Sequence, residues 1–342
     1  MDMRLSEFVF ATCRAGSEKA LKKEVSLQPG QLLTPAFMRP QLITWKAQAE
    51  LPDDFEWGAL HAVVSGWSLG MARNAEEVAA IVTAAGLKPS ALHVFPRLVA
   101  EDGLTPDQWL QMDRVKEDLK NVCTYLPTGR WILDVIVGEA NEPWFIGTHR
   151  AAASSHPHPG GLPRLSIPEE APSRAWLKME QGLAWLGLDA PGMLTGKSAL
   201  ELGSAPGGTS WALLERGMKV IGVDTGAMDA RVQNHPAYDH ISLPASSLPL
   251  DYLPERIDLL ACDMNLAPDV VLKYLEPLCA QLKPRWLILT FKMNDARVEA
   301  LMPYFIQQVQ RFAPGPVYAK QLHANRREVT LVSSGGVGFP SG

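Results

Sequence analysis

Four charged residues stand where charge does nothing for folding. Asp263 closes the apolar run 257–262, Lys292 closes 286–291, and Glu328 opens 329–333. Lys178 lies in a helical stretch that begins after Ser173. A charge at the end of a buried strand is costly to desolvate unless it is paired. Taken singly, each reads as a solvated strand end or half of a salt bridge. Taken together, two amines and two carboxylates can grip a hydroxyl: ammonium groups donate, carboxylates accept, and a proton can pass between them. Asp224 closes a further strand, 219–223. In open α/β sheets ligands bind beyond the carboxyl ends of the strands, where Asp224, Asp263 and Lys292 all fall.

A glycine turn supplies the second half of a site. Strand 198–202 runs into Gly203-Ser204-Ala205-Pro206-Gly207-Gly208, and a helical pattern follows through Arg216. Glycine lets a ligand approach the backbone closely. Gly207 and Gly208 would place amides at a helix N-terminus, where orphan N–H groups accept polar ligand atoms. Asp224 follows about 20 residues later, a spacing that suits a ribose diol. The order differs from the G-x-G-x-x-G of dinucleotide enzymes. The turn alone fits any nucleotide-binding fold.

These residues must be carried by a regular frame. Residues 174–186, 270–282 and 298–312 read as helices, the first capped by Ser173 and the second ended by Pro284. Strands 198–202, 219–223, 257–263 and 286–292 alternate with them, and 317–323 with 328–333 form a last pair around 324–327. The expected fold class is α/β: a doubly wound, mainly parallel Rossmann-like sheet whose last pair is antiparallel. Residues 234–254 read as loop. Upstream, 8–12 is a strand, a helix capped by Ser17 runs through Leu21 and Val25, and 32–45 offers one or two strands. Helices are expected at 75–85 after Asn74 and at 106–125, with apolar residues at Trp109, Leu110, Val115 and Leu119. Strands are expected at 93–97, 131–137 and 144–147. The expected divisions are 1–50 and 51–153 as small α+β units, 154–168 as a linker, 169–334 as the large sheet domain and 335–342 as a tail. His156 and His158 fall in the linker. No further ligands are evident near them, so they read as loop histidines and no metal is expected.

The run E-L-G-x-x-P-G-G resembles the first motif of S-adenosylmethionine-dependent methyltransferases, above all the FtsJ-like ribose 2′-O-methyltransferases. Asp263 in A-C-D-M, Lys292 in T-F-K-M, Glu328 in R-R-E-V-T and Lys178 in A-P-S-R-A-W-L-K-M-E match that family's Lys-Asp-Lys-Glu tetrad. The run from Pro163-Arg164-Leu165 to Lys178-Met179-Glu180 is similar to the ribosomal RNA large subunit methyltransferase M family, which modifies a cytidine ribose of 23S rRNA. The resemblance is strong over 160–333. It implies S-adenosylmethionine as cofactor, bound by Gly203, Ala205, Pro206, Gly207, Gly208, Asp224, Ser246 and Asp263. It implies Lys178, Asp263, Lys292 and Glu328 as the catalytic set, with Lys292 taking or steering the proton of a 2′-hydroxyl. On this reading Lys178, as a second cation, lowers the pKa of Lys292. Ala205 stands where the family has Cys, Ala175 where it has Ser, and Ser246 where it has an acid. By layout, 1–50 resembles a ferredoxin-like domain and 51–153 a THUMP-like RNA-positioning domain.

The implied partner is 23S rRNA or a large-subunit assembly intermediate, with no membrane and no obligatory protein partner. A net charge of −5 over 342 residues excludes a generally basic nucleic-acid binder. Contact with RNA would need local patches: Arg14, Lys19, Lys22 and Lys23, or Lys320, Arg326 and Arg327. Residues 51–150 carry 14 acids against 8 bases, so their outer face should turn away from RNA. Cys13, Cys123, Cys262 and Cys279 have no metal or redox spacing, and no secretory or spanning pattern appears, so a cytoplasmic protein with free thiols is expected. Two other readings stay open: a silent RNA-binding or assembly protein that kept the fold, and a methyltransferase for another substrate.

Overall fold

The computed structural model describes residues 6–28, 33–52, 55, 57–122, 124–126 and 129–336. Leu32, Cys123 and the tail residues 337–342 lie outside them. The chain divides between Arg164 and Leu165 into two compact units, inside the expected linker.

The first unit contains β1 (Phe8–Thr12), α1 (Glu18–Leu27), β2 (Leu33–Arg39), β3 (Leu42–Ala47) and β4 (Ser65–Ala72), then α2 (Ala75–Ala85), β5 (Ala91–Pro96), α3 (Pro106–Leu119), β6 (Trp131–Val137) and β7 (Trp144–Arg150). Its strands form one seven-stranded sheet, ordered β2-β3-β1-β4-β7-β6-β5. The boundary expected at residue 50 therefore falls inside a single sheet, because β1 pairs with β3 on one side and β4 on the other. β4 was not expected from the sequence. Its Gly66 is a packing requirement, since a Cβ there would lie 2.2 Å from the Thr148 carbonyl oxygen. Gly70 sits where the pairing with β7 shifts register. Two glycines in eight residues hide a strand from propensity reasoning.

The caps explain the helices. Asn74 accepts from the Glu77 amide at the start of α2, and Gly86 ends that helix in a left-handed conformation. Thr105 and Gln108 form a reciprocal capping box on α3. α3 ends at Leu119, short of the expected Tyr125, as Val122 N–H closes a tight turn onto the Leu119 carbonyl. Its inward stripe is Met112, Val115 and Leu119; Leu110 is exposed.

The second unit contains α4 (Ala175–Trp185), β8 (Ser198–Leu202), α5 (Gly208–Glu215), β9 (Lys219–Val223), α6 (Ala230–Gln233), β10 (Tyr238–Ile241) and β11 (Leu259–Cys262), then α7 (Pro268–Leu282), β12 (Trp286–Lys292), α8 (Ala296–Gln310), β13 (Val317–Lys320) and β14 (Glu328–Ser334). The sheet order is β10-β9-β8-β11-β12-β14-β13. The first five strands run parallel, while β14 lies antiparallel to both neighbours. β10 emerged within the stretch read as loop; four residues that include Asp239 and His240 give no apolar alternation. The core packs Leu177, Leu183 and Trp185 of α4 and Leu213 of α5 against Leu259 and Ile288 of the sheet. Gly182 lets α4 press onto β12, where a Cβ would meet Ile288 at 2.8 Å. Among the described residues, no helix is long and apolar enough to cross a membrane. Cys13, Cys262 and Cys279 are buried free thiols, each pushed up to about 12 by burial.

Candidate active site

The four tetrad residues reach one point at the carboxyl ends of the parallel strands. Asp263 follows β11 and keeps the ladder going by donating its N–H to the Leu202 carbonyl. Lys292 is the last residue of β12, and Glu328, the first of β14, is its register partner. Lys178 comes in from α4. The side chains close into a ring of alternating charge. Lys292 Nζ donates to Asp263 Oδ1 at 2.9 Å and to Glu328 Oε1 at 2.7 Å. Lys178 Nζ donates to Glu328 Oε2 at 3.0 Å and pairs with Asp263 Oδ2. All four side chains are between 12% and 15% exposed. The ring is therefore neutral overall, screened from bulk water and still open to a ligand.

Its electrostatics correct one expectation. Burial lowers the Lys292 pKa, but Asp263 and Glu328 outweigh burial and raise it above the ordinary lysine value. A neighbouring amine cannot depress it while two carboxylates lie in contact with the same nitrogen. Lys292 is a fixed cation in this arrangement.

Beside the ring lies a cleft of about 390 Å³. Gly203, Ala205, Asp224, Ser246 and Asp263 line it, so Asp263 belongs to both cleft and ring. Asp224 is held by the chain itself: Oδ2 accepts from Ala205 N–H at 3.0 Å and Oδ1 from Gly226 N–H at 2.7 Å. A carboxylate oxygen has two acceptor directions, so each keeps one toward a ligand. The far wall is built by Leu243, Pro244, Met264 and Tyr274, which motif reasoning did not pick out. They come from the segment after β10, the segment after β11 and α7; apolar residues in such places carry no spacing signal.

Pro206, Gly207 and Gly208 do not line the cleft. Gly208 is buried against α4, where an added Cβ would lie 2.2 Å from Ser173 Oγ and 3.0 Å from Trp176 N. Gly207, at φ +118°, faces Val232 in the same way. Both glycines serve close helix packing. Gly203, at φ +82°, lies under the site, and a Cβ there would meet the Asp263 carbonyl oxygen at 2.9 Å. Behind the turn, Glu201 is fully buried, and Ser210 Oγ donates to its Oε2 at 2.5 Å. Burial pushes the Glu201 carboxyl well above its usual range despite that hydrogen bond, and the charges of Asp263 and Asp224 push the same way.

The basic residues divide. Lys19, Lys23, Arg326 and Arg327 are exposed, whereas Lys320 is buried and offers no surface charge. Arg14 is paired with Glu101.

The geometry is matched by family. Residues 171–301 match the model of the FtsJ-like methyltransferase family. That match takes in most of the second unit. Three members of the ring, Lys178, Asp263 and Lys292, lie inside that match, and Glu328 lies beyond it. The chain is 33% identical over 183 residues to a ribosomal RNA large subunit methyltransferase M of Laribacter hongkongensis, covering 51% of each chain. It is 28% identical over 207 residues to the enzyme of that name from an Azoarcus species, covering 58% of this chain and 55% of the relative. The chain thus spans about half the length of the curated relatives it matches. A solved ribosomal RNA methyltransferase from Plasmodium falciparum aligns at 16% identity with 49% of this chain and 99% of its own, with a TM-score of 0.38.

Proposed function

We propose that the protein transfers a methyl group from S-adenosylmethionine to the ribose 2′-hydroxyl of a cytidine in 23S rRNA. The closed ring of Lys178, Asp263, Lys292 and Glu328, sharing Asp263 with the cleft, carries this reading. The cleft fits the cofactor: Asp224 offers two acceptor directions suited to a ribose diol, and the apolar wall suits a base. When bound, S-adenosylmethionine supplies an electrophilic methyl on a good leaving group.

The chain's own residues then have to deal with a weakly acidic hydroxyl. Lys292 stays protonated, so it steers the hydroxyl by donating to its oxygen. Lys178 does the same from the other side. Asp263 and Glu328 hold both amines and restrict the oxygen to one approach line. An oxygen becomes strongly acidic as it is alkylated, so a carboxylate of the ring suffices to accept the departing proton. A ring of this kind suits a sugar hydroxyl better than an amine, for which two cations would be repulsive company.

The first unit is proposed to position RNA, with exposed Lys19 and Lys23 on α1 as phosphate contacts; the ground is the resemblance of its sequence layout to ferredoxin-like and THUMP-like modules. A large-subunit assembly intermediate and a cytoplasmic location follow from the same reading. The test is mass mapping of ribose methylation on rRNA from cells with and without the gene, together with labelled methyl transfer in vitro. Loss of one 2′-O-methylcytidine from 23S rRNA is expected. An unchanged map would reject the reading.

A further inference from the structure

The first unit holds a second chemically competent cluster, far in sequence from the tetrad. His93 on β5, Asp134 on β6 and His149 on β7 are between 0% and 6% exposed. Register explains their meeting. His93 and Asp134 are direct partners in the parallel pair β5–β6, and His149 stands two positions along from the residue paired with Asp134. All three project from the face opposite the α2–α3 core, which takes up Leu92, Val94, Leu133 and Val135 instead.

Their polar atoms are under-satisfied for such depth. His149 Nδ1 lies 2.6 Å from Asp134 Oδ2, a good hydrogen bond. Asp134 Oδ1 is buried with no hydrogen-bond partner, and its nearest cationic candidate, His93 Nδ1, is 3.9 Å away. Leaving a buried carboxylate oxygen unmatched is costly. Imidazole nitrogens and a carboxylate oxygen are together a common donor set for zinc. One donor atom from each residue lies within 4.8 Å of the other two. Tetrahedral zinc places its ligand atoms roughly 3.3 Å apart, at about 2.0–2.2 Å from the ion. Small side-chain rotations separate the present set from that geometry.

The segment after β7 covers this face through a single 3-10 turn, Pro159–Gly161. Gly160 and Gly161 pack so tightly that a Cβ would meet Phe95 and Val63 at 2.7 Å each. Phe95 is two residues beyond His93 on the same face.

We infer that His93, Asp134 and His149 form a structural zinc-class dication site. The ion would neutralise Asp134 and tie β5, β6 and β7 together. Complete burial suits a structural ion, not catalysis.

The test uses the full chain purified without a histidine tag. Protein is mixed with zinc chloride or cobalt chloride, desalted and analysed for metal. Wild type should retain about one ion per chain, and cobalt should give the visible absorption of a tetrahedral centre. The H93Q/H149Q double variant should retain at least ~10-fold less. Retention of under about a tenth of an equivalent by wild type, or equal retention by the double variant, would overturn the site. If the double variant does not fold, melting of wild type decides: zinc should raise the Tm over that of chelator-treated protein. No rise would reject the proposal.

Discussion

Lys292 and Glu328 are direct partners across β12 and β14, and their side chains meet at 2.7 Å. The main-chain register that builds the sheet thus sets the distance within the ring. Cross-strand partners have Cβ atoms about 4.5–5.5 Å apart, close enough for an ion pair without bending either strand. An ordinary ladder contact has become one side of a site.

Lys292→Met should separate chemistry from cofactor binding. Lys292 takes part in the ring but does not line the cleft. Methyl transfer should fall at least ~10²-fold, the scale of a lost proton-steering group, while calorimetric affinity for S-adenosylmethionine stays nearly constant. A matching loss of affinity would show that Lys292 acts through binding.

Asp263→Asn should behave differently, since Asp263 lines the cleft as well as bridging both lysines. Turnover and affinity should fall together. Asp224→Ala, away from the ring, should weaken cofactor binding by at least ~10-fold with less effect on the rate at saturation. Calorimetry beside single-turnover kinetics checks both.

The pH–rate profile distinguishes a lysine base from a steering cation. Asp263 and Glu328 raise the Lys292 pKa. A lysine base would make the rate climb steadily through the alkaline range. A fixed cation predicts a flat profile between about pH 7 and 9. The stability effect has a definite sign. Because the folded value is raised, Lys292 stabilises fully below the ordinary lysine range, and this contribution is lost as pH rises through the folded value. Wild type should therefore lose its margin in Tm over Lys292→Met only in strongly alkaline buffer.

Glu201 gives the same sign at a different pH. Its carboxyl is pushed well above the usual range. Its contribution is present below the ordinary carboxylate range and is lost as pH rises through the raised value. Glu201→Gln keeps an acceptor for Ser210 and should melt with little pH dependence over that window. Glu201→Ala leaves Ser210 unpaired beside a cavity and should destabilise by about 2–4 kcal/mol. Chemical denaturation at several pH values measures both.

Gly208→Ala should destabilise the second unit by about 1–3 kcal/mol, because the new methyl meets Ser173 and the Trp176 backbone. Thermal melts report this directly. A tolerated alanine would show that α4 can shift away from α5.

Much of the second unit was legible in the sequence because buried parallel strands are short apolar runs closed by acids or a lysine. Strands 198–202, 219–223 and 286–292 lie where those runs stand. β10 and β4 were not legible: one is too short and polar, and the other carries two glycines in place of β-branched residues, of which Gly66 makes room for β7. The ring could be named but not its protonation, since that depends on how many carboxylates touch one nitrogen. A glycine pattern shows that something approaches the backbone, and α4 and Val232 are what lie against Gly208 and Gly207 in the fold.

The antiparallel placement of β14 has a consequence for the growing chain. Three ring members have emerged once Lys292 is made, yet the fourth waits another 36 positions and arrives only when the strand slots in beside β12. Until then two ammonium groups share a single carboxylate, an unbalanced cluster that repels itself. Half-synthesised molecules would be inert, and competence would switch on in one step when the sheet is completed.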